Sequence, residues 1–328
     1  MCFEKAQLAC RSVIRRAMMG DAGRLTRFMT RPGAVTIAVM AVIVLLGTRG
    51  IAAPAAFGAR SGETGPLRAQ GWAVPSPDSA TPSQATLFRP PGPGPFRLAL
   101  IAHASTQNAL RRAQMRQPAY AGLAAALVAR GFAVLVPQRP GHGTTGGPYL
   151  EDQGGCDDAD YDHAARATAA AIRAALAFMS TQPFIRARGA VVVGHSAGGL
   201  GALALAADDP ATIARIIAFA PGRGGHADDR PRDVCAPDRL VDAAGAFGRG
   251  ARVPVTWLVA ENDSYFAPAL SRRMADAFRA AGGKVDFRVL PPSGNEGHWL
   301  AQREEGEVAA IISDVLAPAL ARVPKASR

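Results

Sequence analysis

The sequence holds no internal repeat, no zinc-type spacing of Cys and His, and no phosphate-binding loop. Its glycine cluster Gly222-Arg223-Gly224-Gly225 is not followed by Lys-Ser or Lys-Thr. Repeat architectures are excluded, and no cofactor or metal is expected. Charge is sparse too: 19% of the 328 residues are charged, against 48% hydrophobic. That balance describes a globular chain with ample core. Positive charge is plentiful overall, at +11, but it is not spread along the chain. Nine Lys or Arg stand against two acids in the first sixty residues, a surplus of seven that leaves about four for everything else. A nucleic-acid partner needs a basic face on the folded domain, and none is legible. Cysteine is scarce, with four in all, and Cys2 and Cys10 precede residue 34.

What the N-terminus does have is a basic flank followed by the apolar run 34–47 and then Ala53-Pro54-Ala55. This resembles a secretory signal with a cleavage site. The run is short of the ~20 apolar residues that span a bilayer. Residues 1–55 are therefore expected to be a signal peptide, with a retained membrane anchor as the alternative. Either way the body is exported to the periplasm or beyond, and any membrane attachment runs through this segment alone. An exported chain left with Cys156 and Cys235 favours a disulfide between them.

Residues 56–83 are rich in Pro, Gly, Ser and Thr and are expected to form a linker. A single folded domain is expected over 84–322. Near-continuous apolar runs at 96–103, 131–138, 189–195, 213–220, 253–260 and 285–291 predict parallel strands buried on both faces. Helical periodicity lies between them, as in Ile172, Ala175, Leu176 and Met179 ahead of Pro183. The β-α alternation predicts one α/β domain: a mostly parallel central sheet flanked by helices. Two long connections, 139–162 and 221–238, follow strand ends, where ligand crevices form, and are expected to make a small lid. Each carries one of the two remaining cysteines.

Within this frame, Gly194-His195-Ser196-Ala197-Gly198 is a G-x-S-x-G pattern between a strand and a helix. A sharp turn there projects the serine oxygen, and glycines two residues away on either side avoid collision. A serine needs a base, and the base needs a carboxylate. Asp263 and His298 each follow a strand end, in the order Ser, acid, His. Glu261 is the one serious rival for the acid. The oxyanion requires two N–H donors. Ala197 supplies one, and the loop after 96–103 the other, with Ser105 favoured and Ala104 next. His103 and His142 are expected to support turns, His163 to open a helix, and His226 to line the site from its loop. Asp158, Asp160 and Asp162 have calcium-loop spacing, but the loop's glycine and final glutamate are missing, so a polar helix entry is expected.

Together "GHSAGG", "RPGHGTTGG", "LVAENDSYF" and "GHW" resemble the α/β-hydrolase superfamily, in particular its dienelactone-hydrolase-like and prolyl-oligopeptidase-like members, over roughly residues 84–320. The resemblance implies hydrolysis of a small-molecule carboxylic ester through an acyl-enzyme, without a cofactor. Departures are visible. Dienelactone hydrolases carry cysteine where Ser196 stands, His103-Ala104 replaces the usual His-Gly, and no propeller precedes the domain. A peptidase, an acyltransferase or an inactive binding protein on the same fold are the alternatives.

Overall fold

The computed structural model describes residues 57–320, so the expected signal or anchor at 1–55, with Cys2 and Cys10, lies outside the described residues. Among the described residues, no helix is long and apolar enough to cross a membrane.

The strands are β1 Gly58–Ala59, β2 Gln70–Val74, β3 Ser83–Phe88, β4 Arg97–Ala102, β5 Phe132–Pro137, β6 Ala190–His195, β7 Ile213–Phe219, β8 Val255–Ala260 and β9 Val285–Leu290. They form one sheet in the order β1-β2-β3-β5-β4-β6-β7-β8-β9. From β5 to β9 the pairing is parallel, and β1, β2 and β3 add an antiparallel edge. Parallel strands need crossovers, and helices supply them: α1 Ala109–Ala113, α2 Ala121–Val128, α3 Tyr161–Ser180, α4 Ala197–Leu203, α5 Pro237–Gly248 and α6 Pro268–Ala280; α7 Glu305–Leu320 follows the last strand.

Period-2 alternation divides the buried strands between two cores. Val192 joins Ile172, Met179, Leu200, Phe247 and Phe278 on the face of α3, α4, α5 and α6. Val191 and Val193 join Leu123, Leu127, Val308 and Ile312 on the face of α2 and α7. Burial on both sides is why the inner strands read as unbroken apolar runs. Strand β9, expected to be covered on both faces, is instead a partly exposed edge strand, because among the described residues no further strand flanks it.

Residues 56–83 correct the sequence reading. They hold β1 and β2 rather than a linker, and the ordered domain reaches back to this edge hairpin. Trp72 and Val74 are buried, and Trp72 meets Phe178 of α3 and Phe184 edge-on, with ring centres 6.4 and 5.8 Å apart. The Pro and Gly residues are gathered in the turns between these short strands, so composition averaged over the segment hid them. Helix α1 was also unexpected: none of its residues is buried, so it carries no apolar stripe to detect.

The two long connections meet. Cys156 and Cys235 are disulfide-bonded, with Cα atoms 4.6 Å apart. Asp160 caps α3 by accepting from the His163 N–H at 2.9 Å, and Asp162 pairs with Arg166, so the acidic run is a helix entry.

Candidate active site

Ser196 is the hinge between β6 and α4. Its backbone sits at φ 55°, ψ −119°, a conformation that costs an L-residue on the order of 1–3 kcal/mol. Three hydrogen bonds hold it there. Its N–H donates to Phe219 O at 3.0 Å, and its carbonyl accepts from Gly222 N at 3.1 Å and Leu200 N at 2.9 Å. A Cβ at Gly194 would run into the backbone of Gly198 and Gly199, and one at Gly198 into the carbonyls of Ala102 and His103. The glycines of the motif are thus set by close backbone approach from β4 and from the turn itself.

Asp263 lies just past β8 and is buried. Its Oδ1 accepts from the N–H groups of Tyr265 and Phe266, both at 2.8 Å, and its Oδ2 accepts from His298 Nδ1 at 3.2 Å. Burial pushes its carboxyl up, yet the His298 contact and the two N–H donors outweigh that and leave it below its ordinary value. With Nδ1–H committed to Asp263, His298 keeps Nε2 as a proton acceptor. Glu261, the rival acid, is exposed, and Asp263 alone of the two pairs with the histidine. The turn carrying His298 is fixed by Glu296, which accepts from His298 N at 2.9 Å and from Ser264 N at 3.1 Å. Tyr265 stacks on the His298 ring at 4.2 Å and on His226 at 3.5 Å.

Ser196 and His298 open onto one cavity of about 1000 Å³, together with Ser105, Arg223, Tyr265 and Trp299. His226 lines it as well, from the 221–238 connection. The loop after β4 is tightly held. The His103 ring donates from Nδ1 to Ala104 O at 2.6 Å and accepts the Arg139 N–H at 3.1 Å. Ser105 Oγ donates to His142 Nε2 at 2.7 Å, because His142 Nδ1–H is aimed at the Arg139 and Pro140 carbonyls. Both histidines therefore support turns, and burial keeps both below the ordinary imidazole value, His142 at about 4. The Ala104 N–H is taken by Tyr120 Oη at 3.1 Å. Among the described residues, the N–H groups of Ser105 and Ala197 have no protein acceptor, so both are free to donate to a bound group.

Several contributors escaped the sequence. Glu151 is buried between Arg139 and Arg223, which pull its carboxyl far down against the effect of burial. That cluster ties the 139–162 connection to the 221–238 connection. Glu296, Tyr265 and Tyr120 were missed too; only the position of Glu296, two residues before His298, offered any signal. Among the described residues, no group of three or more His, Cys, Asp or Glu side chains is placed to hold a metal ion.

A family model described as serine aminopeptidase, S33, matches residues 115–237, a stretch that contains Ser196 and ends before Asp263 and His298. No curated protein sequence matches the chain. Among solved structures, the Pyrococcus furiosus esterase Pf2001 superposes with a TM-score of 0.53 at 13% identity, over 79% of this chain and 98% of that one. A candidate dienelactone hydrolase of Klebsiella pneumoniae superposes at 0.50 and 16% identity, over 76% and 96%. A puromycin-hydrolyzing peptidase of Mycobacterium tuberculosis superposes at 0.50 and 14% identity, over 76% of this chain and 39% of that one. The strand order, the helices on both faces of a mostly parallel sheet and these likenesses agree: the chain has the α/β-hydrolase fold.

Proposed function

We propose that the protein is a serine hydrolase that cleaves carboxylic esters through an acyl-enzyme. The observation that carries this reading is the buried Asp263–His298 pair opening onto the same cavity as the strained Ser196. In the reaction, Ser196 Oγ attacks the ester carbon while His298 Nε2 takes its proton. The carbonyl oxygen becomes an oxyanion held by the Ala197 and Ser105 N–H groups. As the tetrahedral species collapses, the C–O bond to the alcohol breaks and His298 returns the proton to the departing oxygen. Water then repeats the sequence in reverse and frees the acid. Asp263 holds the imidazole in the required tautomer and offsets its transient positive charge.

Fluorophosphonate labelling tests the reading directly. One phosphonyl group on Ser196 is expected, and an unlabelled native protein overturns it. A peptidase reading has its own support, since the matching family model and one structural neighbour are described as peptidases. A panel of 4-nitrophenyl esters beside aminoacyl-arylamides separates the two. Higher kcat/KM on the esters is the expected result.

Export belongs to the same proposal, and the Cys156–Cys235 bond is compatible with it. Protein recovered from outside the cytoplasm is expected to begin near Ala56. An N-terminus before residue 34 on exported protein favours the retained anchor instead.

A further inference from the structure

A chain of buried hydrogen bonds runs through the residue just before the nucleophile. His195 Nε2 lies 2.7 Å from the backbone carbonyl of His298, and His195 Nδ1 lies 2.9 Å from Tyr120 Oη. Tyr120 Oη in turn receives the Ala104 N–H at 3.1 Å. The directions are forced. A carbonyl only accepts, so His195 carries its proton on Nε2. A neutral imidazole with Nε2–H accepts at Nδ1, so Tyr120 donates its O–H there. The Tyr120 oxygen is then the acceptor for Ala104. Burial favours the neutral ring that this pattern needs, holding His195 at about 3. Tyr120 is buried and enters α2 in the left-handed region, at φ 47°, a conformation that non-glycine residues adopt at a cost.

We infer that Tyr120 is a positioning residue for ester hydrolysis: its hydroxyl fixes the oxyanion loop and, through His195, the backbone of the catalytic base. By engaging the Ala104 N–H it turns that peptide away from the reacting carbonyl and leaves Ser105 as the second donor. Through His195 it pins the carbonyl of His298. One hydroxyl thereby sets the mutual placement of the loop at 103–105, the residue beside Ser196 and the histidine turn. This inference rests on the serine-hydrolase reading above.

Tyr120→Phe removes only the hydroxyl. Oxyanion contacts strengthen in the transition state more than in the ground state, so kcat should suffer and KM should not. The expected result, per active site titrated with fluorophosphonate, is a fall in kcat on the order of 10- to 100-fold with KM within about threefold. Binding of a boronic acid, which forms a tetrahedral serine adduct, should weaken in parallel. Wild-type kcat and boronate affinity in the variant overturn the proposal, as does a rise in KM at constant kcat. His195→Gln, which keeps a donor and an acceptor, should retain more activity than His195→Leu, and equal losses count against the chain. Nitrogen-15 NMR of the wild-type imidazoles decides the matter if Tyr120→Phe does not fold. One histidine should show the neutral Nε2–H form unchanged from about pH 5 to about pH 9. A His195 ring that titrates in that range, or carries its proton on Nδ1, overturns the proposal. A wild type that binds no fluorophosphonate overturns it through the reaction instead, and the NMR result then shows whether the hydrogen-bond chain exists without that chemistry.

Discussion

At the floor of the cavity, Ser196, Asp263 and His298 are all more than nine-tenths buried. At its rim, Arg111 of α1 and Asp229 of the 221–238 connection face each other at 3.6 Å with 66% and 85% of their side chains in solvent. The floor is made of strand ends. Asp263 is fully engaged by His298 and two backbone N–H groups, and the strain at Ser196 is held by three backbone hydrogen bonds. The rim is made of loops. Five non-glycine residues of the 221–238 connection, His226, Asp228, Asp229, Arg232 and Ala236, lie at positive φ, and a disulfide ties one connection to the other. Packed strand ends hold reacting groups to tight geometry, whereas loops tolerate change. On the proposed reading, the difference assigns the chemistry to the floor and substrate choice to the rim.

The largest effect should come from the floor and should leave stability alone. Ser196→Ala is expected to lower ester turnover by on the order of 10³-fold or more, which is about 4 kcal/mol of barrier. Alanine keeps the Cβ, so the backbone strain persists and the melting temperature should hardly move. Asp263→Asn should be comparably damaging, because it favours the wrong tautomer of His298. Full turnover in either variant would break the division between floor and rim.

Removing the staple should act the other way, on stability and breadth rather than on chemistry. The Cys156–Cys235 bond closes a separation of 79 residues. The chain-entropy model assigns such a loop about 4 kcal/mol, less any native strain. Cys156→Ser combined with Cys235→Ser should lower the melting temperature and shift preference among bulky esters, while small-ester turnover stays comparatively intact. Thermal denaturation beside an ester panel checks it. Loss of small-ester turnover at a temperature where the variant is folded would show that the rim also shapes the floor.

Acid should separate the two regions further. Burial keeps the rings of His103, His142 and His195 below the ordinary imidazole value of 6.5. The unfolded chain takes up these protons as the pH falls through 6.5, while the folded chain resists until about 4 for His142 and about 3 for His195. Stability is therefore complete above the unfolded value and falls below it. The slope is at most about 1.4 kcal/mol per pH unit for each ring. Asp263 and Glu151, whose values are lowered, stabilise the fold above the ordinary carboxylate range and lose that contribution only at lower pH. Melting temperatures taken from about pH 7.5 to about pH 4.5 should thus decline through the histidine window first. A flat profile there contradicts the buried neutral assignment.

The floor was also the more legible region in the sequence. Unbroken apolar runs mark strands covered on both faces, and Ser196 and Asp263 sit just past the ends of two such runs, whereas His298 lies in a turn well past β9, a half-exposed strand with Asp and Arg in it. The links that fix them were not legible. Tyr120 and His195 are 75 residues apart, and His195 reaches a backbone carbonyl 103 residues away, an acceptor that every residue type offers equally. Glu151 meets Arg223 across 72 residues and has no local partner pattern. The edge strands β1 and β2 were hidden because they are short and half-covered, and α1 because it buries nothing. Local composition encodes the covering of an element, and partners brought together by topology leave no such trace.

The smallest expected effect belongs to the rim pair itself. Both side chains of Arg111 and Asp229 are largely in solvent, and exposed ion pairs contribute under about 1 kcal/mol. Arg111→Ala should therefore leave the melting temperature within about a degree and small neutral-ester turnover within about twofold. Its signature should appear in charge selection instead. Arg111, Arg116, Asp228 and Asp229 all line the cavity, so losing Arg111 tips the mouth toward negative potential. An ester bearing a carboxylate should then show a KM raised by about two- to threefold relative to a neutral ester of the same size at low ionic strength. The ratio should return toward the wild-type value near 1 M salt, where the screening length is only about 3 Å. A KM ratio that ignores both the substitution and the salt would show that the rim charges do not select substrates. A fall in kcat on the neutral ester would place Arg111 with the floor rather than the rim.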